Sequence, residues 1–151
     1  MKNKKIIHII TNLEDGGAEG VLNRIIYNTH KHYNHKVISL MGYGKYGYEL
    51  KNIGVEVKCL EFKRGFFSIR GFIKLLIFLK KNKSNILQTW MYHSDLLGGV
   101  ACFLTGHKKI IWNVRGDGKG LINKKYSSKI VLYLCSKLSH VLPQNIITCS
   151  M

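Results

Sequence analysis

Short β-branched runs and helical stripes take turns along this chain. Residues 4–10 are apolar at every position but the leading lysines and His8, the pattern of a strand buried on both faces. Ala18, Val21, Leu22, Ile25 and Ile26 then recur at i, i+3, i+4, i+7 and i+8, one face of a helix. Residues 36–41 are predicted as a second strand, 46–52 as a short helix and 55–61 as a third strand. Ile69, Phe72, Ile73, Leu76 and Leu79 form the next helical stripe, ended by the polar run 80–85. Residues 86–90, 109–114 and 145–149 read as strands four to six, with helices predicted over 94–104 and 126–142, the second ending at Pro143. Regular strand–helix alternation implies right-handed βαβ crossovers, so the expected fold is a Rossmann-like α/β domain. It should hold a parallel sheet of six or more strands in the order 3-2-1-4-5-6, with helices on both faces.

The 151 residues suit one domain and not two. No repeat, low-complexity tract or linker divides them. Residues 148–151 fall where a strand hands over to a following helix, which predicts a domain cut short at its C-terminal end. The basic-then-apolar N-terminus is interrupted by His8 and followed by Asn12, Glu14 and Asp15, so it reads as a first strand and not as a signal peptide. No apolar run approaches the roughly 20 residues that cross a bilayer. Cys59, Cys102, Cys135 and Cys149 lie far apart with no C-x-x-C pair, as free thiols of a reducing cytoplasm would.

Charge adds a partner to the picture. The formal net charge is +16, from 24 Lys and Arg against 8 Asp and Glu, which points to an anionic ligand or surface. Only Arg24, Arg64, Arg70 and Arg115 are arginines, so part of the excess is a general lysine bias. Zinc-finger spacing and an RNP motif are absent and the aromatics fall mostly at core-period positions, so no nucleic acid is expected as a partner.

In an open parallel sheet, ligands bind at the carboxyl ends of the strands where strand order reverses. With the expected order, the loops after strands one, four and five converge there. They are the most unusual segments of the chain: 11–20 with Asn12, Gly16 and Gly17; 90–95 with Tyr92, His93 and Asp95; and 113–118 with Arg115 and Asp117. The glycine-rich loop opens a helix, whose free N–H groups and dipole suit a phosphate, although a glycine pair also simply turns a chain. It lacks the spacing of the dinucleotide fingerprint. His93 is a candidate proton shuttle or a structural histidine. Ser94 or Asp95 is expected to cap the next helix. Gly98 and Gly99 are expected to let that helix approach the sheet, and Arg115 is either an anion clamp or the partner of Asp117.

At these residues the sequence resembles the N-terminal domain of family 4 glycosyltransferases, which have the two-domain GT-B architecture. The similar stretches are 6–11 followed by Gly16-Gly17-Ala18-Glu19, the passage from Tyr48-Glu49-Leu50 to Gly54-Val55-Glu56-Val57, residues 87–99, and Ile111-Trp112-Asn113-Val114-Arg115. The resemblance implies sugar transfer from a nucleotide-sugar donor to a polysaccharide or lipid-linked acceptor, in bacterial cell-surface glycan synthesis. Residues 1–151 would be the acceptor-binding half, with the nucleotide-sugar domain absent. It further implies that Gly16 and Gly17 meet the donor diphosphate, that His93 and Arg115 are catalytic, and that Asn12, Tyr92, Asp95 and Asp117 hold the acceptor. Gly20 departs from the family, standing where a basic residue commonly follows Ala-Glu. Neither a metal nor another cofactor is expected, since backbone amides and cations can neutralise a departing diphosphate.

No acidic residue lies between Phe62 and Ser94. Arg70, Lys74 and Lys81 share one face of the helix there with Phe78 beside them, an arrangement suited to shallow docking on an anionic leaflet or to an ordinary solvated face. A cytoplasmic protein held peripherally at the inner face of the plasma membrane is the corresponding expectation. Two other readings stay open: a non-catalytic truncated remnant, and a basic α/β module that binds membrane or nucleic acid.

Overall fold

A computed structural model describes residues 4–115 and 126–149. The strands are β1 (Lys5–Ile10), β2 (Asn34–Ser39), β3 (Glu56–Cys59), β4 (Ile86–Trp90), β5 (Ile110–Val114) and β6 (Asn145–Thr148). Between them run α1 (Gly17–Thr29), α2 (Gly44–Asn52), α3 (Ile69–Lys81), α4 (Tyr92–Leu104) and α5 (Tyr126–Leu138). All pairings are parallel and the sheet order is β3-β2-β1-β4-β5-β6, as the alternation predicts.

Strand periodicity divides the core into two layers. Ile7 and Ile9 of β1 join Leu75 and Leu79 of α3, Ala101 and Cys102 of α4, Trp112 of β5 and Cys135 of α5. Ile10 packs on the other face with Leu22 and Ile26 of α1, Leu50 of α2 and Trp90 of β4. Each fully buried aliphatic side chain contributes about 1.5–3 kcal/mol, and these two layers hold the sheet between its helices. Two glycines let α4 lie close, as expected. A Cβ on Gly98 would stand 2.8 Å from Thr89 Cγ2, and one on Gly99 would stand 3.2 Å from the Trp112 ring.

His8 faces the α1 layer, and its polarity is satisfied there. Trp90 Nε1 donates to His8 Nδ1 at 3.4 Å, leaving the neutral ring's proton on Nε2, which meets His35 Nδ1 at 2.9 Å. His35 Nε2 then reaches Thr29 Oγ1 at 3.0 Å, and that hydroxyl donates to the Ile25 carbonyl at 2.6 Å. Burial and the neighbouring ring lower the His8 pKa to about 3, and burial lowers that of His35 as well.

Several element ends shift by a residue or two from the predicted ones; two helix boundaries and one helix face differ for a clear local reason. α5 ends at Leu138 and not at residue 142, because Val141 and Leu142 N–H both turn back to the Leu138 carbonyl. α4 begins at Tyr92, with Met91 as its N-cap, so Ser94 and Asp95 lie inside the first turn and cap nothing. α3 is rotated from its predicted stripe. Gly71, Leu75, Phe78 and Leu79 are its buried residues, whereas Ile69, Ile73 and Ile77 face outward. Gly71 decides the rotation, since its missing side chain is where the Phe62 ring rests. Phe78 is therefore not membrane-facing: it is 5% exposed, with Lys58 and Lys36 ammonium groups 5.3 and 5.8 Å from its ring centre.

Candidate functional site

The order reversal lies between β1 and β4, and at their carboxyl ends the chain makes its most constrained turns. Thr11 Oγ1, just after β1, meets Ser94 Oγ of α4 at 3.1 Å and ties the two loops together. Met91 takes φ 72° and ψ 149°, a left-handed region that a side chain enters at a cost of about 1–3 kcal/mol. Its N–H donates to the Asn113 carbonyl at 3.1 Å and its carbonyl accepts from Asp95 N–H at 2.9 Å, which holds that strain in place. The result is a sharp strand-to-helix turn that puts Tyr92 and His93 at the mouth, their rings 4.4 Å apart and both half-buried.

Asp95 lies beneath this turn. It is 1% exposed and accepts from Thr89 Oγ1 at 2.6 Å, and burial raises its pKa to about 7. A carboxyl so enclosed cannot touch an acceptor as the structure stands; it braces β4 against α4. Cys135 of α5 donates to the Tyr92 carbonyl at 3.2 Å from the same layer, its thiol pushed up to about 12 by burial and by Asp95.

The β1–α1 loop is held by side chains on both sides. Asn12 Oδ1 accepts from Glu14 N–H at 3.1 Å, so Asn12 shapes the turn. Asp15 accepts from Lys45 Nζ at 3.1 Å and from Tyr46 Oη at 2.9 Å, contacts that lower its pKa. Gly16 is the N-cap of α1 and has no side chain to cap it. The Glu19 carboxylate folds back to where a Gly16 Cβ would be, while the space beside Gly17 is open. The glycine pair thus does leave a backbone surface at a helix N-terminus, but an anion arriving beside Gly16 must displace Glu19. Position three of the helix, where an acidic side chain commonly reaches back over the first turn, is the sequence signal for this contact.

Arg115 follows β5, its guanidinium 5.3 Å above the Trp90 ring. Its Nε is buried without a hydrogen-bond partner among the described residues. Trp90, which falls in the singled-out segment 90–95 with no predicted role of its own, is therefore the platform of the site: its indole is fully buried and its N–H anchors His8 below. Asp117, the remaining expected acceptor residue, lies outside the described residues. The structure brings the Thr11, Ser94, Met91, Tyr92, His93 and Arg115 segments to one sheet edge, with Asn12, Gly16 and Gly17 on the adjoining loop.

No family model matches the chain, and no curated protein matches it. Solved structures do. The Anabaena protein HepE, in complex with UDP and glucose, matches with a TM-score of 0.70 at 13% identity, over 95% of this chain and 38% of that one. Acinetobacter baumannii MurG matches with 0.64 at 8% identity, over 96% and 41%. The lipopolysaccharide outer core galactosyltransferase WaaB in its apo form gives 0.56 at 18%, over 85% and 37%. The fold is that of a GT-B half-domain. The chain spans about two-fifths of the length of each of these GT-B structures.

Proposed function

We propose that this GT-B domain is the acceptor-side half of a glycosyltransferase that uses a nucleotide-sugar donor. The observation that carries the reading is the Arg115 guanidinium, stacked on Trp90 with a buried Nε that has no partner among the described residues, at the same sheet edge as His93 and the α1 N-terminus, which is open beside Gly17 and covered by Glu19 beside Gly16. In transfer, the bond from the sugar's anomeric carbon to the diphosphate breaks and a bond to an acceptor hydroxyl oxygen forms. The departing diphosphate gains charge that the N–H groups beside Gly16 and Gly17 and the Arg115 guanidinium neutralise. His93 takes the acceptor proton. Tyr92 and Asn12 border the acceptor. The polysaccharide or lipid-linked acceptor and the bacterial cell-surface role belong to this proposal.

The outward face of α3 supports membrane attachment of such an enzyme. Ile69, Ile73 and Ile77 are 70, 49 and 48% exposed in one stripe, with Phe66 and Phe67 exposed before it and Arg70, Lys74 and Lys81 exposed beside it. That is an interfacial face, apolar in the middle and cationic at the flank. No helix among the described residues is long and apolar enough to cross a membrane.

The reading is tested by titrating the chain with UDP-glucose and following backbone amide resonances. Shifts at Gly16, Gly17 and Arg115 are expected; saturable shifts confined to another surface would overturn the site.

A further inference from the structure

The edge of the sheet opposite this site carries a different chemistry. Lys4 and Lys5 open β1, Lys80, Lys81 and Lys83 precede β4, and Lys108 and Lys109 precede β5, while Glu56 is the sole acidic residue of the described chain near these strand starts. A cavity of about 220 Å³ opens among them, lined by Lys5, Lys36, Lys81, Lys83, Asn82 and two isoleucines of β1.

Two of its lysines are fixed in position. Lys36 Nζ bonds Asn82 Oδ1 at 2.7 Å and pairs with Glu56 at 2.5 Å, and Lys83 Nζ donates to the Thr105 carbonyl at 2.7 Å. Each ammonium has three donors, so both keep protons to offer. Lys5 and Lys81 have no ammonium bond or ion pair among the described residues and are exposed. At the α3 C-terminus, whose dipole opposes an anion, Asn82 N–H and Nδ2 cap the Phe78 carbonyl at 3.0 and 2.9 Å, so the lysines must outweigh what remains of that dipole. No carboxylate lines the cavity. Glu56 offsets the charge of Lys36 at its border, and Lys5, Lys81 and Lys83 have no ion pair among the described residues.

We infer that this lysine-lined cavity is a binding site for a phosphate group, separate from the carboxyl-edge site. Ammonium point charges suit a compact tetrahedral dianion, and the lining has no aromatic ring on which a nucleobase would stack. The inference does not rest on sugar transfer. Two sources share this chemistry, a soluble phosphate or pyrophosphate and the phosphomonoester headgroup of a lipid.

Calorimetric titration of the 151-residue chain with phosphate and pyrophosphate at constant ionic strength, beside sedimentation with phosphatidylcholine vesicles containing phosphatidic acid or phosphatidylserine, tests it. Saturable binding is expected, weakened about tenfold or more by Lys81→Glu or Lys5→Glu through loss of a charge-assisted hydrogen bond, and restored by Lys81→Arg. Lys137→Glu on α5, the same charge change at a distance, should leave it intact. Binding of free pyrophosphate assigns the site to a soluble phosphate. Preference for phosphatidic acid over phosphatidylserine, lost in Lys81→Glu while free phosphate does not bind, assigns it to a lipid headgroup. Equal weakening by Lys137→Glu, or no saturable binding of any of these probes beyond that of phosphatidylserine vesicles, overturns the inference. Unchanged melting of Lys81→Glu and Lys5→Glu guards against misfolding, since neither ammonium is bonded among the described residues.

Discussion

The two edges of one sheet are built on opposite principles. At the carboxyl edge several polar groups are locked to a group from another element: Thr11 to Ser94, Thr89 to Asp95, Met91 to Asn113, Cys135 to Tyr92. At the amino edge, lysines stand on flexible stems, and among the described residues Lys36 and Lys83 are the ones whose ammonium groups are hydrogen-bonded. The first arrangement fixes where groups stand relative to one another and includes a strained residue. The second defines a field. Geometry is what bond-making chemistry requires, whereas attraction of an anion needs only charge at close range.

The comparison breaks most visibly where packing supports the carboxyl edge. Gly98→Val should cost about 3 kcal/mol or unfold the chain, because the new side chain collides with Thr89 and Ile9 and lifts α4 from the sheet. Gly17→Val, in open space, should leave the denaturant midpoint nearly unchanged and yet impair sugar transfer once a C-terminal domain is supplied. Equal melting of the two variants would show that the edge is not packed as described.

Titration separates the edges next. His8 and His35 have lowered pKa values in the folded chain, so the unfolded chain binds more protons below pH 6.5. Their contribution is complete above that pH and is lost as pH falls toward 3. Asp95 runs the other way. With its folded pKa raised to about 7, its contribution is complete below about pH 4 and is lost as pH rises to 7. Asp95→Asn keeps an acceptor for Thr89 without the charge, so its stability relative to the parent should grow from pH 4 to 7 and then level off. Parallel urea-stability profiles would remove Asp95 from this account.

A smaller effect is expected at the mouth, in an enzyme completed by a GT-B C-terminal domain. His93→Ala should lower kcat about tenfold to a hundredfold with little change in melting, as befits a half-buried residue. Arg115→Lys keeps the charge but loses the planar fork, and a kcat loss as large as that of Arg115→Ala would mean that the fork matters. A His93→Ala protein that melts several degrees lower but turns over normally would assign His93 to structure. Smallest of all, Lys4→Ala and Lys109→Ala should each stay within about 0.5 kcal/mol of the parent in urea. Larger losses would show that the amino edge is held together and not merely charged.

Hydrophobic periodicity by itself determined the element order, and the Rossmann-like pattern that this order suggests supplied the expected strand order and the edge at which the loops converge. These follow from local pattern and from the handedness of crossovers, which do not depend on any one contact. The resemblance to glycosyltransferases, which the fold comparison agrees with, was also carried by short motifs in the chain. Tertiary structure alone decided how each side chain is used. Phe78 and Asp95 turned inward, since helical spacing gives a face only to within a residue and the Gly71–Phe62 contact rotated α3. Trp90 became a platform because Arg115, 25 residues later, stacks on it. The lysine cavity brings together residues from positions 5, 36, 81 and 83, and only parallel pairing of β1 with both β2 and β4 makes those neighbours.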